Sequence, residues 1–288
     1  MSEWVIGILG GSGLYDLDAL EDAQWVELDT PWGAPSDALR IGRIAGIRFA
    51  FLPRHGRGHR IPPTQLNARA NVDALKRAGC TDLLAISAVG SLREELAPGR
   101  FVAVDQFIDR TFARESSFFG PGMVGHVSMA DPVCPRLAAL AADAAEAAGA
   151  PVARGGCYLA MEGPQFSTRA ESRAYRQWGC DVIGMTAMPE AKLAREAELP
   201  YALIGMVTDH DCWREDIEAV DAAEIVARLH ANSATARRLV VEFANRLPKE
   251  RVPSPIDTNL DSAILTAPEA RDPALLAKLD AVCGRLIR

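Results

Sequence analysis

The stretch "IGMVTDHDCW" (residues 204–213) sets two acids directly after an apolar run. Residues 204–207 are apolar or small, and Asp209 and Asp211 then flank His210. A short apolar run of this kind is typical of a strand that is buried on both faces of a sheet. In open α/β sheets, ligands gather at the carboxyl ends of the strands. The stretch therefore predicts an α/β sheet in which a buried strand delivers two carboxyl groups to a binding site.

The rest of the chain repeats this alternation of strands and helices. The predicted strands are 4–9, 47–52, 82–87, 101–108, 181–185 and 201–207. The predicted helices are 64–79, 135–149, 188–197 and 221–247. Such alternation predicts a largely parallel or mixed sheet, covered on both faces, in one α/β domain over residues 1–288. A Pro-containing stretch at 248–262 and a last helix at 273–286 are interpreted as a C-terminal arm.

Composition excludes several classes of protein. The chain has 288 residues, of which 49% are hydrophobic, and a net charge of −7. That charge gives no general attraction for nucleic acid or for an anionic membrane, so a bound anion needs a local basic cluster. Because no apolar run reaches the ~18–20 residues of a membrane span and no signal peptide is evident, we expect a cytoplasmic protein. The six cysteines are widely spaced, which predicts free thiols and no metal site.

A basic cluster stands in "PRHGRGHR" (residues 53–60), directly after a predicted strand. It contains Arg54, His55, Arg57, His59 and Arg60. Arginine binds phosphate oxygens in a bidentate fork, and histidine exchanges a proton near neutrality. The cluster favours an oxyanion site, with a solvated basic turn as the alternative.

Two further strand ends carry groups that bind anions. "GILGGSGL" (7–14) offers backbone N–H groups and the Ser12 hydroxyl, although its spacing fits neither a dinucleotide fingerprint nor a Walker loop. "ISAVGSLREE" (86–95) is predicted to end a strand at Ser87 and Ala88, which would complete an anion cradle. Each motif alone is equally typical of an ordinary structural turn.

Taken together, the motifs resemble a known family. They are "GILGGSGLYD", "RHGRGH", "SLREE", "DQFIDRT", "EGPQFSTRAES", "MTAMPEA" and "TDHDCW", in order over most of residues 4–247. In this order they are similar to the purine nucleoside phosphorylase family of the trimeric type, and most similar to its branch that acts on 5'-modified 6-aminopurine nucleosides. The resemblance implies a distorted mixed β-sheet flanked by helices, a homotrimer, and cleavage of a purine nucleoside by inorganic phosphate. Phosphate is then a co-substrate, and no metal or organic cofactor is implied.

The resemblance also implies roles for individual residues, with Asp209 and His55 as the catalytic ones. The implied phosphate ligands are Ser12, Arg54, His55, Ser87, Ala88 and Thr186. The implied nucleoside contacts are Phe166, Ser167, Met185, Asp209 and Asp211, with Ala222, Ile225 and Val226 around the 5' substituent and His126 from a neighbouring subunit. Some positions depart from the family pattern. Gln165 stands where arginine is common, which puts a nearby salt bridge in doubt, and the small Ala222 implies a roomier 5' pocket.

The chemistry explains why two acids follow the strand. Breaking the N-glycosidic bond pushes electrons onto the purine, so N7 must be protonated or strongly hydrogen-bonded. A protonated Asp209 can donate to N7, and a carboxylate oxygen accepts from a 6-amino group. Asp211 either raises the proton affinity of Asp209 or only orients the loop. This chemistry predicts a 6-aminopurine substrate, and the resemblance implies 5'-methylthioadenosine, with 5'-deoxyadenosine as a second one.

Other interpretations stay open. The two acids are also typical turn formers. A nucleosidase that uses water, a phosphorylase of 6-oxopurine nucleosides or of methylthioinosine, and a non-catalytic nucleoside-binding protein would all share much of this pattern.

Overall fold

A computed structural model describes residues 3–11, 13–214 and 222–287, and the side chains of residues 222–231 lie outside this description. The strands are β1 Val5–Gly10, β2 Glu21–Val26, β3 Leu39–Ile44, β4 Ile47–Pro53, β5 Asp82–Ser91, β6 Phe101–Val104, β7 Gln106–Arg110, β8 Val152–Arg154, β9 Cys157–Met161, β10 Val182–Gly184 and β11 Tyr201–Asp209. The helices are α1 Ala68–Arg77, α2 Pro135–Ala147, α3 Arg169–Gln177, α4 Ala187–Glu196, α5 Ala222–Arg246, α6 Pro273–Lys278 and α7 Gly284–Ile287. None of the described helices combines the length and the apolar character needed to cross a membrane.

The strands form one mixed sheet that branches at β5. Its main order is β2-β3-β4-β1-β5-β10-β9-β7, and β11 also pairs with β5 and then with β6. β1 and β11 run parallel to β5, whereas β10 runs antiparallel to it. The predicted α/β class with a distorted mixed sheet flanked by helices is confirmed.

Alternate residues of the central strands enter two separate cores. Leu9, Leu83 and Leu203 pack on the face covered by α1 and α4. Ile8, Leu84, Ile204 and their neighbours pack on the opposite face, which α2 and α5 cover. Because successive side chains of a strand point to opposite faces, a strand between two helical layers must be apolar throughout. This is why the unbroken apolar runs predicted strands.

Several boundaries differ from the predictions. The run 101–108 forms two strands, and the last predicted helix forms two short ones, α6 and α7. α1 begins at Ala68 rather than at 64, because the Asn67 side chain caps it by accepting from the Ala70 N–H group. The elements that were not predicted are β2, β3, β8, β9 and α3. β2 and α3 are mostly exposed and polar, and β8 has only three residues.

β5 is also longer than predicted, and this matters for the site. The strand does not end at Ser87 but continues to Ser91, where it gains a new partner. On one edge it pairs with β1 only over residues 82–85 and with β10 only at residues 90–91. Residues 86–89 therefore lie in a notch between the ends of β1 and β10.

The segment after Pro248 is fastened to the amino-terminal end of β5. The Trp4 indole N–H group donates to the Pro248 carbonyl oxygen over 2.9 Å. Arg251 bridges the carboxylates of Asp82 and Asp257. The proposed arm thus contacts the sheet at the end opposite to the notch.

A glycine beside the notch gives a test of this packing. A Cβ atom at Gly184 would lie 2.6 Å from Cζ of the buried Tyr158 ring, which cannot move aside. We expect Gly184→Ala to lower the free energy of unfolding by about 1–3 kcal/mol in urea titrations. Gly120→Ala is the matched control, because a Cβ there meets nothing within 4 Å. Equal stabilities of the two variants would contradict the described contact.

Candidate functional site

The notch in β5 brings two hydroxyl groups together. Ser87 is buried in the strand, and its Oγ lies 3.1 Å from Oγ1 of Thr186, which precedes α4. The backbone N–H group of Thr186 points to the hydroxyl of Tyr158 over 3.4 Å. Ala88 follows Ser87 and is partly buried. Three of the predicted phosphate ligands thus lie side by side, although Ser87 and Ala88 are inside a strand and not at its end.

Arg54 follows β4 and lies beneath the same notch, with only 2% of its surface exposed. Its Nε and Nη2 donate to the two carboxylate oxygens of Glu190 over 2.8 and 3.1 Å. Nη2 also donates to the Leu9 carbonyl oxygen over 3.0 Å, and Nη1 to that of Ile86 over 3.3 Å. A guanidinium group has five N–H donors, so one on Nη1 is left for a ligand. The hydroxyl of Tyr201 donates to Glu190 as well.

This ion pair keeps Arg54 charged. Burial alone would lower the pKa of Arg54, but the charge and hydrogen bonds of Glu190 outweigh it and raise the pKa. The cation therefore persists in a site where an unpaired charge would be strongly disfavoured.

His55 is buried and neutral. Its Nδ1 lies 2.9 Å from the Ile61 carbonyl oxygen, which only accepts, so Nδ1 carries the hydrogen and Nε2 has a free lone pair. Burial, together with the nearby Arg54 and His59 charges, lowers the pKa of His55 to about 4. His59 stacks on its ring at a centroid distance of 4.3 Å. The sequence-based expectation of proton exchange near neutrality does not fit this environment.

The other arginines of the basic cluster point elsewhere. Arg57 binds the carboxylate of Asp37 over 2.9 Å, and Arg60 donates to the carbonyl oxygen of Ser36. Both side chains are largely exposed. The predicted basic cluster therefore divides into an inward pair, Arg54 and His55, and an outward pair held by Asp37.

The two acids form a tight turn after β11. Oδ1 of Asp209 accepts from the N–H group of Asp211 over 2.7 Å, and Oδ2 lies 2.6 Å from the Thr208 hydroxyl. Asp211 has a positive φ of 49°. Asp209 thus does act as a turn former, which was the structural alternative for these residues.

Asp211 buries one of its carboxylate oxygens. Among the described residues, its buried Oδ2 has no hydrogen-bond partner. Burial raises the pKa of Asp211, and the adjacent charge of Asp209 adds to that effect. The nearby Ser172 and Ser167 hydroxyls act in the opposite direction. The mutual influence of the two acids was expected from the sequence, and the pKa of Asp211 is raised in this way.

β5 connects the acids to the anion-binding groups. Asp209 is paired with Gly90, and a Cβ atom at Gly90 would lie 3.0 Å from its Oδ1. Arg54 binds the carbonyl oxygen of Ile86, four residues earlier on the same strand. At ~3.3 Å per residue, the two ends of this line are about 13 Å apart, with Ser87 between them. Arg54 and Asp209 therefore contact the same strand, on either side of Ser87. We call the region between them, along residues 86–90 of β5, the candidate cleft.

The predicted nucleoside contacts Met185, Phe166 and Ser167 belong to segments that meet beside the turn of the two acids, and we call residues 163–167 with Met185 the nucleoside wall. The Met185 sulfur packs so closely on Gly163 that a Cβ atom there would be 2.5 Å away. Phe166, which is 53% exposed, and Ser167 follow Gly163 closely. The Cys212 thiol donates to the Ser167 carbonyl oxygen over 3.1 Å, which joins this wall to the turn of the two acids.

Five predicted residues are not placed in the cleft. Ser12 lies outside the described residues, as do the side chains of Ala222, Ile225 and Val226, whose backbone belongs to α5. His126 is exposed, and its backbone N–H group donates to the Ala263 carbonyl oxygen. Its contact with a neighbouring subunit stays a prediction.

Sequence reasoning missed a second buried ion pair, Arg114 and Glu162. Arg114 Nε donates to Glu162 over 2.9 Å, and Nη1 donates to the carbonyl oxygens of Met185 and Met188 over 2.6 and 2.7 Å. Glu162 opens the quoted motif "EGPQFSTRAES", which was the available signal, but Arg114 lies 48 residues earlier in the chain. Only the fold brings them together.

Glu162 is held in its ionised form. Burial acts to raise the pKa of this carboxyl, but hydrogen bonds from the Phe112 and Ala113 N–H groups and from Arg114 lower the pKa to about 2. The neighbouring Gln165, which replaces a charge expected from the resemblance, is exposed. Among the described residues, no group of three or more His, Cys, Asp or Glu side chains has the arrangement of a metal site. The expected lack of a cofactor stays a prediction.

Comparisons with known proteins point to one family. A model of the phosphorylase superfamily matches residues 5–245. The chain is 59% identical to S-methyl-5'-thioadenosine phosphorylase of Cereibacter sphaeroides, with 99% of each chain covered. It is 58% identical to the protein of that name from Bradyrhizobium diazoefficiens, with 100% of each covered.

Solved structures give the same result. A methylthioadenosine phosphorylase sourced from an Antarctic soil metagenomic library is 44% identical, with a TM-score of 0.92 over 98% of this chain and 99% of that one. The methylthioadenosine phosphorylase of Schistosoma mansoni in complex with adenine is 36% identical, with a TM-score of 0.84 over 90% of this chain and 98% of that one.

The neutral state of His55 predicts a dependence of stability on pH. Between pH 6.5 and about 4, the unfolded chain binds a proton at His55 while the folded protein does not. Stability is therefore lost as the pH falls through this window, by about 3 kcal/mol in total. We expect the free energy of unfolding of His55→Gln, measured in urea from pH 7 to 4, to fall less steeply than that of the wild type. Parallel curves would show that His55 is protonated in the folded state.

Proposed function

The chain belongs to the phosphorylase superfamily, and from that premise we propose that it cleaves 5'-methylthioadenosine with inorganic phosphate, giving adenine and 5-methylthioribose 1-phosphate. The observation that carries this proposal is the line along β5 from the Arg54 contact at Ile86, through Ser87, to the Asp209 contact at Gly90. It sets anion donors at one end of a cleft and carboxyl groups at the other. Activity on 5'-methylthioadenosine is also what the names of the most similar proteins describe.

The anion end of the cleft suits phosphate. The spare N–H group of Arg54, the hydroxyls of Ser87 and Thr186 and the Ala88 backbone supply donors from separate segments, and Ser12 is proposed to add another. The free lone pair on Nε2 of neutral His55 accepts from the P–OH group of hydrogen phosphate. Phosphate held in this way attacks the anomeric carbon as the glycosidic bond breaks, and the rate gain comes from positioning and fixed dipoles.

The acidic end suits the leaving purine. The Thr208 hydroxyl lies within hydrogen-bond distance of both the Val89 carbonyl oxygen, at 3.2 Å, and Oδ2 of Asp209. Its single hydrogen serves only one of them. A proton on Asp209 satisfies both contacts, since Thr208 then accepts from Asp209 and donates to Val89. We assign this proton to the purine N7, which makes Asp209 the general acid.

Asp211 complements the 6-amino group. Its buried, unpaired Oδ2 is an acceptor for the exocyclic N–H of adenine. A 6-oxo group would place an acceptor against this oxygen, which costs roughly 1–3 kcal/mol, or about tenfold to a hundredfold in selectivity. The wall of Met185, Phe166 and Ser167 would contact the ribose and the base. Ala222, Ile225 and Val226 would surround the 5' substituent and admit 5'-deoxyadenosine too.

We propose a homotrimer as the working form, located in the cytoplasm, with no nucleic-acid or membrane partner. Large apolar side chains are exposed near the cleft and on the segments around His126. They are Phe112, Phe166, Val124 and Leu265. Contiguous exposed apolar side chains are typical of surfaces that bind another protein, and Leu265 and Val124 are joined by a backbone hydrogen bond. In such a trimer, His126 of one subunit would reach the cleft of the next.

Substrate and phosphate dependence test the proposed reaction. We expect release of adenine from 5'-methylthioadenosine only when phosphate is added, with slower release from adenosine and very slow release of hypoxanthine from inosine. Liquid chromatography of the bases measures all of these rates. Release of base without phosphate would establish a nucleosidase, and binding without release would establish a non-catalytic protein.

Replacing the Asp209 carboxyl group by an amide tests its role. We expect Asp209→Asn to lower kcat/KM at least a hundredfold for 5'-methylthioadenosine and much less for methylthioinosine, because the group at position 209 is proposed to face the 6-substituent as well as N7, and an amide N–H donates to a 6-oxo group. Steady-state kinetics on both nucleosides give the ratio. Equal losses on both would show that Asp209 does not distinguish the two bases.

A further inference from the structure

We infer that Arg114, paired with Glu162, is a positioning residue that fixes the nucleoside wall relative to the phosphate-binding hydroxyls. This inference rests on the proposed function. Arg114 belongs to none of the motifs that pointed to that function, and it lies in the segment between β7 and α2.

All donors of Arg114 are used within the protein. Nε binds the Glu162 carboxylate, Nη1 binds the carbonyl oxygens of Met185 and Met188, and Nη2 binds those of Met161 and Glu162. These contacts account for all five N–H groups of the guanidinium. Arg54 has a donor to spare for phosphate, whereas Arg114 has none. Arg114 therefore acts through other residues and not on the substrate.

The contacts join the segments that form two parts of the cleft. Met185 and Met188 flank Thr186, whose hydroxyl meets Ser87 at the anion end. Glu162 precedes Gly163, against which the Met185 side chain packs. The Arg114 guanidinium thus holds two segments at a fixed separation. They are the turn at residues 185–188 and the start of the nucleoside wall at residue 163.

Burial makes this arrangement rigid. The side chains of Arg114 and Glu162 are 5% and 8% exposed, and a buried charge without its partner is strongly destabilised. Glu162 also binds the N–H groups of Phe112 and Ala113, so that the segment carrying Arg114 is itself held in place. A lysine has one nitrogen and cannot reach these five separated acceptors. Displacement of reacting groups by about 1 Å is enough to cost a hundredfold in rate.

The test compares two lysine substitutions. Arg114→Lys removes the planar contacts near the cleft. Arg251→Lys is the matched control, because the Arg251 side chain is equally buried, at 5% exposure, and bridges Asp82 and Asp257 at the far end of β5. We expect Arg114→Lys to lower kcat/KM for 5'-methylthioadenosine at least tenfold, with a raised nucleoside KM, at a temperature where both variants are folded by near-UV circular dichroism. Arg251→Lys should lower the melting temperature and keep kcat/KM within about twofold.

The outcomes separate this inference from the proposed function. If the wild type releases adenine and Arg114→Lys keeps its kcat/KM, only the inference is overturned. If the wild type binds 5'-methylthioadenosine in calorimetry but does not cleave it, the proposed reaction fails. Weaker binding by Arg114→Lys would then still support positioning, and equal binding would overturn it.

If Arg114→Lys does not fold, Glu162→Gln takes its place, and unfolding of both variants beside a folded Arg251→Lys would show that the pair is only structural.

Discussion

Two buried arginine–glutamate pairs constrain the whole cleft. Arg54 with Glu190 and Arg114 with Glu162 place four charges where water is excluded. Such charges are tolerated only when each is paired and its remaining donors are bonded. Backbone carbonyl oxygens from other segments bind all the remaining donors of Arg114 and all but one of those of Arg54, so that β1, β5 and the turn between β10 and α4 are joined to the two pairs. The cleft follows from the need to satisfy these two cations.

The branch of the sheet at β5 leaves backbone groups that can bind one of these cations. A strand with a continuous neighbour on each edge has no free backbone groups, whereas residues 86–89 lie between the ends of β1 and β10. Arg54 binds the carbonyl oxygen of Ile86 in this notch, and the Ser87 and Thr186 hydroxyls meet beside it. Since β11 runs parallel to β5 up to Gly90, the same strand also fixes the position of Asp209. A branched strand thus positions both ends of the site.

The surroundings of the ionisable groups in the site shift their pKa values in different directions. His55 stays neutral because burial and neighbouring cations disfavour its charge. Glu162 stays ionised because three N–H donors surround it, and the pKa of Asp211 is raised because burial and Asp209 act together. A neutral acceptor and fixed cations suit the binding of hydrogen phosphate, and the raised proton affinity belongs to Asp211, beside the proposed general acid Asp209.

The sequence by itself determined the α/β class, the buried central strands and the segments that carry the site. It did so because apolar runs must be buried between helical layers, and because Arg54, Ser87, Thr186 and the acids at 209 and 211 stand in short local motifs. Only the tertiary structure decided which of these groups face the cleft. It turned Arg57 and Arg60 toward Ser36 and Asp37, kept His55 neutral, and paired Arg114 with Glu162 from 48 residues away. Those outcomes depend on burial and on partners distant in the chain, and local sequence patterns carry no information about either.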